Sequence, residues 1–160
     1  MAEHLPMTGI GPVYVIIIAA VTAAAILLSW FGIIPELHFL ITDNAGKILA
    51  VIFAAIAAAL WFNAAVVMKI SKNISENNLV TSGAYAYVRN PIYSAFMLLA
   101  WGIILWYGNL YLVILCPLYH LLMTVLLKST EERWLTELYG ADYENYCSWV
   151  NRCIPWFAEK

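Results

Sequence analysis

Charge is what this chain has least of. Lysine, arginine, aspartate and glutamate make up 11% of its 160 residues, against 64% hydrophobic residues and a mean hydropathy of +0.79. Soluble domains carry about 25% charged residues, so this balance excludes a water-soluble globule and makes the chain an integral membrane protein. Basic residues are few as well: eight Lys and Arg against ten Asp and Glu, a net charge of −2. They form no stripe able to neutralise phosphates, which excludes nucleic acid as a partner. The three cysteines, Cys116, Cys147 and Cys153, stand at no close metal-ligand spacing and are odd in number. No metal site and no disulfide framework are expected from them. Residues 1–12 have no basic region ahead of the first apolar run, and that run is long enough to span, so no signal peptide is expected. The lone Gly-x-Gly, Gly9-Ile10-Gly11, precedes a membrane helix and follows no strand, which argues against a dinucleotide-type glycine loop.

What is present is a series of apolar runs. Residues 13–34 are nearly uncharged and suffice to cross a bilayer as a helix, with Pro35 closing the run. A short polar connection, 36–46, contains Asp43 and Asn44 as candidate caps for the next helix. The second span, 48–68, is rich in alanine (Ala54, Ala55, Ala57, Ala58, Ala59, Ala64, Ala65), which suits close helix packing in lipid rather than chemistry. The polar segment 69–78 ends it. Two shorter apolar runs, 92–107 and 110–127, are separated only by Gly108 and Asn109 and read as a tight helical hairpin, with a kink expected at Pro117. Beyond Lys128, residues 129–139 form an amphipathic pattern stopped by Gly140, and 142–150 form a second, aromatic-rich one. The expected fold is all-α: about four transmembrane helices with a cytosolic C-terminal helical cap, in one membrane-embedded domain over residues 1–160.

Lysine and arginine bias sets the orientation. Lys69, Lys72 and Arg89 lie in one connection, and Lys128, Arg133, Arg152 and Lys160 in the tail, whereas 35–46 has neither residue type. Both basic segments are therefore expected in the cytosol, as are both termini, and free thiols suit that compartment.

The functional signal lies where these runs are interrupted. The stretch Leu79-Val-Thr-Ser-Gly-Ala-Tyr-Ala-Tyr-Val-Arg-Asn-Pro-Ile-Tyr93 places an arginine at the mouth of a span, and Glu131-Glu132 answers it downstream. Such charges at a membrane edge are costly unless they meet water, each other or a charged ligand. This block, Gly102 and Asn109, the pair Glu131-Glu132, and Tyr139-Gly-Ala-Asp-Tyr-Glu-Asn-Tyr146 resemble the isoprenylcysteine carboxyl methyltransferase family, with a looser likeness to phospholipid methyltransferases. The resemblance covers roughly the second half of the chain and rests on several motifs in order around a helical hairpin.

The resemblance implies an S-adenosylmethionine-dependent methyltransferase whose cofactor site is built from membrane-edge segments, 79–93 and 128–155, without a Rossmann domain. Arg89, Glu131 and Arg152 are the implied catalytic set. Tyr85, Arg89, Asn90, Pro91, Tyr93, Glu131, Glu132, Tyr143 and Tyr146 are the implied cofactor contacts. Residue chemistry agrees: the Arg89 guanidinium offers a fork to a carboxylate, and Glu131 and Glu132 offer acceptors to an ammonium or to ribose hydroxyls. Adjacent helical residues point about 100° apart, so one carboxylate is expected to face the pocket while the other pairs elsewhere. Pro91 suits the first helical position and holds Arg89 and Asn90 at the helix mouth. Tyr93, Tyr143 and Tyr146 have rings and hydroxyls fit to meet an adenosine. The implied reaction is an in-line displacement that leaves S-adenosylhomocysteine. The acceptor would be lipophilic (a prenylcysteine-like carboxylate, a lipid amine or a small thiol), entering from the bilayer with its tail among Phe96, Leu99, Ile103 and fourth-span residues. The chain would act as a monomer or homodimer among membrane lipids.

Plainer readings stand beside these. An arginine at a cytosolic helix end is by default an orientation anchor, and acidic residues at a helix start favour its dipole. Tyr107, Trp106, Trp149 and Trp156 read as aromatic-belt residues, and His120 as a neutral side chain bonded to a neighbouring helix. Arg152 also reads as a solvated tail charge. The chain departs from the family pattern in having Asn90 between Arg89 and Pro91 where many members have histidine. It also has Leu127 and Lys128 where eukaryotic members place an arginine, which leaves prenylcysteine carboxylate recognition without its natural partner. A sterol-type membrane reductase and a non-enzymatic scaffold or transporter component are the alternatives. The first needs a nicotinamide site, and the second needs paired charges or broken helices along a pathway.

Overall fold

The computed structural model describes residues 9–37 and 43–156, and among them the structure is helical throughout. Helix α1 covers Gly11–Trp30, with Pro12 in its first turn, where a missing N–H costs nothing. It stops short of the expected Ile34. The amides of Phe31, Gly32, Ile33 and Ile34 fold back onto the carbonyls of Leu27, Leu28 and Ser29, and Gly32 takes the left-handed φ of 73° that such a turn needs. Pro35 therefore follows the stop and does not make it. Helix α2, Asp43–Phe62, continues into a π-helical turn over Asn63–Val67. The side chain of Asp43 and residues 38–42 lie outside the described residues, so the cap expected there does too. A short helix α3, Ile70–Ser75, lies within the polar segment.

After a 3-10 turn at Gly83–Ala86 come α4, Pro91–Tyr107, and α5, Leu115–Ser129, the latter preceded by a 3-10 stretch over Leu110–Ile114. Pro117 thus falls in the first turn of α5 and not in mid-helix. The chain reaches it in 3-10 geometry, so the missing donor is one that a helix start leaves free anyway, and the expected mid-helix kink is not needed. Helices α6, Glu131–Tyr139, and α7, Ala141–Trp149, close the sequence, separated by Gly140 with φ 54°. Three helical runs are long and apolar enough to cross a membrane, Gly11–Trp30, Asn44–Val67 and Leu110–Tyr139, and Pro91–Tyr107 is a shorter apolar helix.

Packing accounts for part of the alanine in α2, since Ala55, Ala58 and Ala59 are exposed. Ala50, Ala57 and Ala64 recur every seven residues and are all buried, as are Ala95 and Leu98 of α4. At Gly102 an added Cβ would lie 3.1 Å from the Ala50 carbonyl oxygen, so α2 and α4 approach closely enough to require small residues. The stripe Tyr14, Ile18, Thr22, Ala25 and Ser29 of α1 is also buried. With Met97, Ala100, Ile104, Tyr119, Met123 and Leu127, its apolar members form the main apolar core.

Several polar groups inside the bundle find partners, although Trp101 Nε1 is buried with none among the described residues. Thr22 Oγ1 and Tyr119 Oη lie 2.8 Å apart, and Asn109, 1% exposed, donates to Ser29 Oγ at 2.7 Å and to the Pro35 carbonyl at 3.1 Å. Asn109 thereby ties the α4–α5 hairpin to the end of α1. His120 differs from expectation: its Nδ1 is buried and has no hydrogen-bond partner among the described residues. At the opposite end of the bundle, the start of α1, the mouth of α4 and the helices α6 and α7 converge.

Candidate functional site

The mouth of α4 is held by the tail of the chain. Pro91 opens the helix, and the Asn90 carbonyl accepts the Ser94 amide at 3.0 Å as its first turn closes. The Asn90 side chain does not cap the helix but donates to the Arg152 carbonyl at 3.1 Å. The Arg89 amide donates to the Asn151 carbonyl at 2.9 Å, the Trp156 amide to the Tyr87 carbonyl at 3.1 Å, and Ser94 Oγ to the Cys153 carbonyl at 2.6 Å. Residues 87–94 and 151–156 are thus bound to each other through backbone groups, which brings Arg89 and Arg152 to one place.

Glu132 joins them. Its carboxylate accepts two bonds from Arg152, Nε to Oε1 at 2.5 Å and Nη2 to Oε2 at 3.0 Å, and Oε1 also lies 3.3 Å from Arg89 Nη1. The Arg89 side chain is 9% exposed and that of Glu132 13%, so both sit largely out of water. The bond to Glu132 pushes the Arg152 guanidinium above its ordinary pKa, against the opposing effect of burial. Arg89 Nη1 also contacts the Cys147 thiol, while Arg89 Nε is buried with no partner among the described residues. Beside this cluster opens a cavity of about 350 Å³ lined by Arg89, Cys147, Trp149, Asn151, Arg152 and Trp156, among others.

Glu131 faces elsewhere, as the helical geometry of adjacent residues requires. Its Oε1 accepts from Tyr93 Oη at 2.6 Å and from the Ile10 amide at 2.8 Å. Both donors are neutral, and Glu131 forms no ion pair among the described residues. One carboxylate of the pair is therefore neutralised by two arginines, and its neighbour meets no cation among the described residues, burial raising its pKa above the ordinary carboxylate value.

The tyrosines divide in the same way. Tyr93 touches Glu131, whereas Tyr143 and Tyr146 are 3% and 4% exposed and pack with Val150, ring centroids 6.2 Å apart. Tyr146 Oη donates to the Tyr85 carbonyl at 2.6 Å, so this pair forms the packed layer behind the 79–93 block. Burial, then the neighbouring Tyr146, then the charge of Glu131 raise the Tyr85 phenol above its ordinary pKa. Arg89, Glu132 and Arg152 come together in one cluster and Tyr93 and Glu131 in an adjoining one, with Tyr85, Asn90, Pro91, Tyr143 and Tyr146 as their frame.

Several participants escape a reading by sequence. Cys147, Trp149, Asn151 and Trp156 wall the cavity although nothing in their spacing marks them, and the two tryptophans read as belt residues. Gly9, Ile10 and Gly11 lie against Glu131 and Tyr93. A second opening, an apolar groove of about 280 Å³, runs along Val15, Ile18, Ala19, Thr22, Ala23 and Ile26 of α1 and along Phe96, Leu99, Ala100 and Ile103 of α4. Phe96, Leu99 and Ile103 do share a groove, but its other wall is α1 and not the fourth span expected from the hairpin.

Fold and site together define a small helical membrane protein with a charged cluster at one end of its bundle. The model of one family, described as phospholipid methyltransferase, matches residues 46–142, more than half of the chain. The chain belongs to that family. It is also 36% identical over 85 residues to a protein of Schizosaccharomyces pombe, the "Protein-S-isoprenylcysteine O-methyltransferase", a match covering 53% of this chain and 36% of that relative. The chain thus spans about a third of that relative's length. No solved structure matches it. The matched family region contains Arg89, Tyr93, Glu131 and Glu132; Arg152 and the 9–11 segment lie outside it.

Proposed function

We propose that this chain is a membrane methyltransferase that takes its methyl group from S-adenosylmethionine and passes it to a lipophilic acceptor. The observation that carries the reading is Arg89: a buried guanidinium with an unpartnered Nε, beside a cavity within the size range of small-ligand sites. A buried donor left unsatisfied is costly, and a ligand carboxylate is the group that satisfies a guanidinium best. Glu131 supplies the complementary charge, a carboxylate without a cationic partner among the described residues, suited to an ammonium or sulfonium. Glu132 and Arg152 hold Arg89 in place, and Tyr93 holds Glu131. The cofactor supplies an electrophilic methyl. The chain's own residues bind, orient and exclude water, which is what a displacement on a methyl needs when the acceptor is already nucleophilic.

The family and the fission-yeast relative support methyl transfer to a lipidic or prenylated acceptor, and the apolar groove between α1 and α4 supports an acceptor with an apolar tail. Phe96 of the groove follows Tyr93 by three residues on α4, so a tail lying there directs its head toward Tyr93 and Glu131. The lysine and arginine bias supports a cytosolic face for this end of the bundle and for both termini. The whole chain acts as one membrane-embedded unit.

The test is calorimetric titration of the detergent-solubilised protein with S-adenosylmethionine and S-adenosylhomocysteine. Saturable binding is expected, weakened about tenfold or more by Arg89→Ala and by Glu131→Gln in variants that still melt cooperatively. No binding by folded wild type, with lipid acceptors present as well as absent, overturns the proposal.

A further inference from the structure

We propose that the segment Gly9-Ile10-Gly11 is the positioning element for Glu131, and that positions 9 and 11 are glycine because the chain there passes against the Glu131 carboxylate and the Tyr93 ring. The Ile10 amide donates to Glu131 Oε1 at 2.8 Å, beside the 2.6 Å bond from Tyr93 Oη. A Cβ built on Gly9 would collide with that same Oε1 and lie 3.1 Å from Tyr93 Oη; one on Gly11 would collide with the Tyr93 ring. Neither glycine has a positive φ, so the requirement is for space and not for an unusual backbone.

The two collisions differ in kind. At position 9 the obstacle is the tip of a flexible side chain, but that tip is fixed by two hydrogen bonds, so a methyl there expels the carboxylate from both. At position 11 the obstacle is an aromatic ring on the first turn of α4, which has no comparable freedom. Between them the amide of Ile10 fixes one carboxylate oxygen, and no hydrogen bond to the other, Oε2, is formed by the described residues. A residue 121 positions distant in sequence thus sets where the other oxygen of Glu131 points. That Oε2 meets a ligand rests on the function proposed above; the positioning does not.

The experiment removes the donor at position 10 and fills the space at position 9. At Ile10 the φ of −70° suits proline, so Ile10→Pro replaces the N–H that faces Glu131 by a ring carbon with little change of backbone, while Ile10→Ala keeps the N–H. Binding of S-adenosylhomocysteine and melting temperature are measured in detergent for Ile10→Ala, Ile10→Pro and Gly9→Ala, each made in wild type and in Glu131→Ala. In wild type, Ile10→Pro and Gly9→Ala are expected to weaken binding about tenfold and lower the melting temperature by about 3 °C or more, with Ile10→Ala near wild type. In Glu131→Ala both losses shrink to a small remainder, since the carboxylate is gone and only the 3.1 Å approach of a Gly9 Cβ to Tyr93 Oη is left. Equal losses in the two backgrounds, or no loss in wild type, overturn the inference. Should folded wild type bind no S-adenosylhomocysteine, the proposed function fails, and the melting-temperature cycle alone decides the positioning: a loss that depends on Glu131 upholds it, and one that does not overturns it.

Discussion

Replacing Glu132 by glutamine removes one charge and leaves two of the opposite sign facing each other. Glu132 lies 3.3 Å from Arg89 and is bonded twice by Arg152, at side-chain exposures of 13%, 9% and 22%. At an effective dielectric of about 20, unit charges at this range attract by about 4 kcal/mol before desolvation is counted. Removing one partner of a buried pair costs about 3–5 kcal/mol, because the remaining charge stays buried. Arg152 is partly solvated, which places the expected loss near the lower end, about 3 kcal/mol. For a chain of this length that corresponds to a fall of about 6–12 °C in melting temperature. Arg152→Gln is expected to cost less, about 1 kcal/mol, since Glu132 still faces Arg89. Adding Arg152→Gln to Glu132→Gln should restore part of the loss, because it removes one of two cations that have begun to repel. Intrinsic-fluorescence melting of the four proteins in one detergent gives the cycle. Strict additivity, or a Glu132→Gln shift below about 2 °C, refutes the view that Glu132 is the clamp on Arg89.

Other expectations follow from the bundle. Gly102→Val forces a branched side chain where a single Cβ already stands 3.1 Å from the Ala50 carbonyl, and should destabilise by about 3 kcal/mol by overpacking, read by thermal melting. Asn109→Ala strands Ser29, the Pro35 carbonyl and the Tyr111 amide together, a loss of about 2–3 kcal/mol in the same assay. Ala19→Phe and Ala23→Phe fill the α1–α4 groove from α1; they should raise KM for an apolar-tailed acceptor about tenfold while leaving S-adenosylhomocysteine affinity unchanged, and equal affinity for the acceptor in both variants would remove the groove from substrate binding.

The sequence reveals the spans because hydropathy and length are local properties, and their ends were misplaced where a non-local or turn-specific bond decides. α1 ends at Trp30, where the amides of residues 31–34 turn back, although apolar residues continue to Ile34. Pro117 reads as a kink only if the residues before it are α-helical; once Leu110–Ile114 wind as a 3-10 turn anchored by Asn109, the proline is in a first turn. That Arg89 and the pair Glu131-Glu132 belong to one region was legible through the order of motifs around the hairpin, but not that Glu132 is the one that meets the arginine. That Arg152 completes the clamp depends on backbone pairing between residues 87–94 and 151–156, which no periodicity announces. Gly9-Ile10-Gly11 is the clearest omission: the carboxylate that Ile10 meets lies 121 residues on and leaves no trace in local spacing.

The pair Glu131-Glu132 shows why adjacent identical residues at a membrane edge need not be redundant. Successive positions on α6 point about 100° apart, so one carboxylate meets the tail and the arginines while the other meets Tyr93 and the segment ahead of α1. The formal charges of Arg89, Arg152, Glu131 and Glu132 cancel, which keeps the cluster tolerable beside a bilayer. Their pairing is nevertheless uneven. Among the described residues, Arg89 retains an unsatisfied donor beside a cavity, and Glu131 retains a carboxylate met by neutral donors alone. A neutral cluster with its positive and negative ends separated in this way complements a zwitterion better than it complements either ion alone. On the proposed function that zwitterion is the amino-acid end of S-adenosylmethionine. The pattern of pairing then makes a distinction that composition cannot: Glu131→Gln should impair ligand binding with little loss of stability, and Glu132→Gln should impair both.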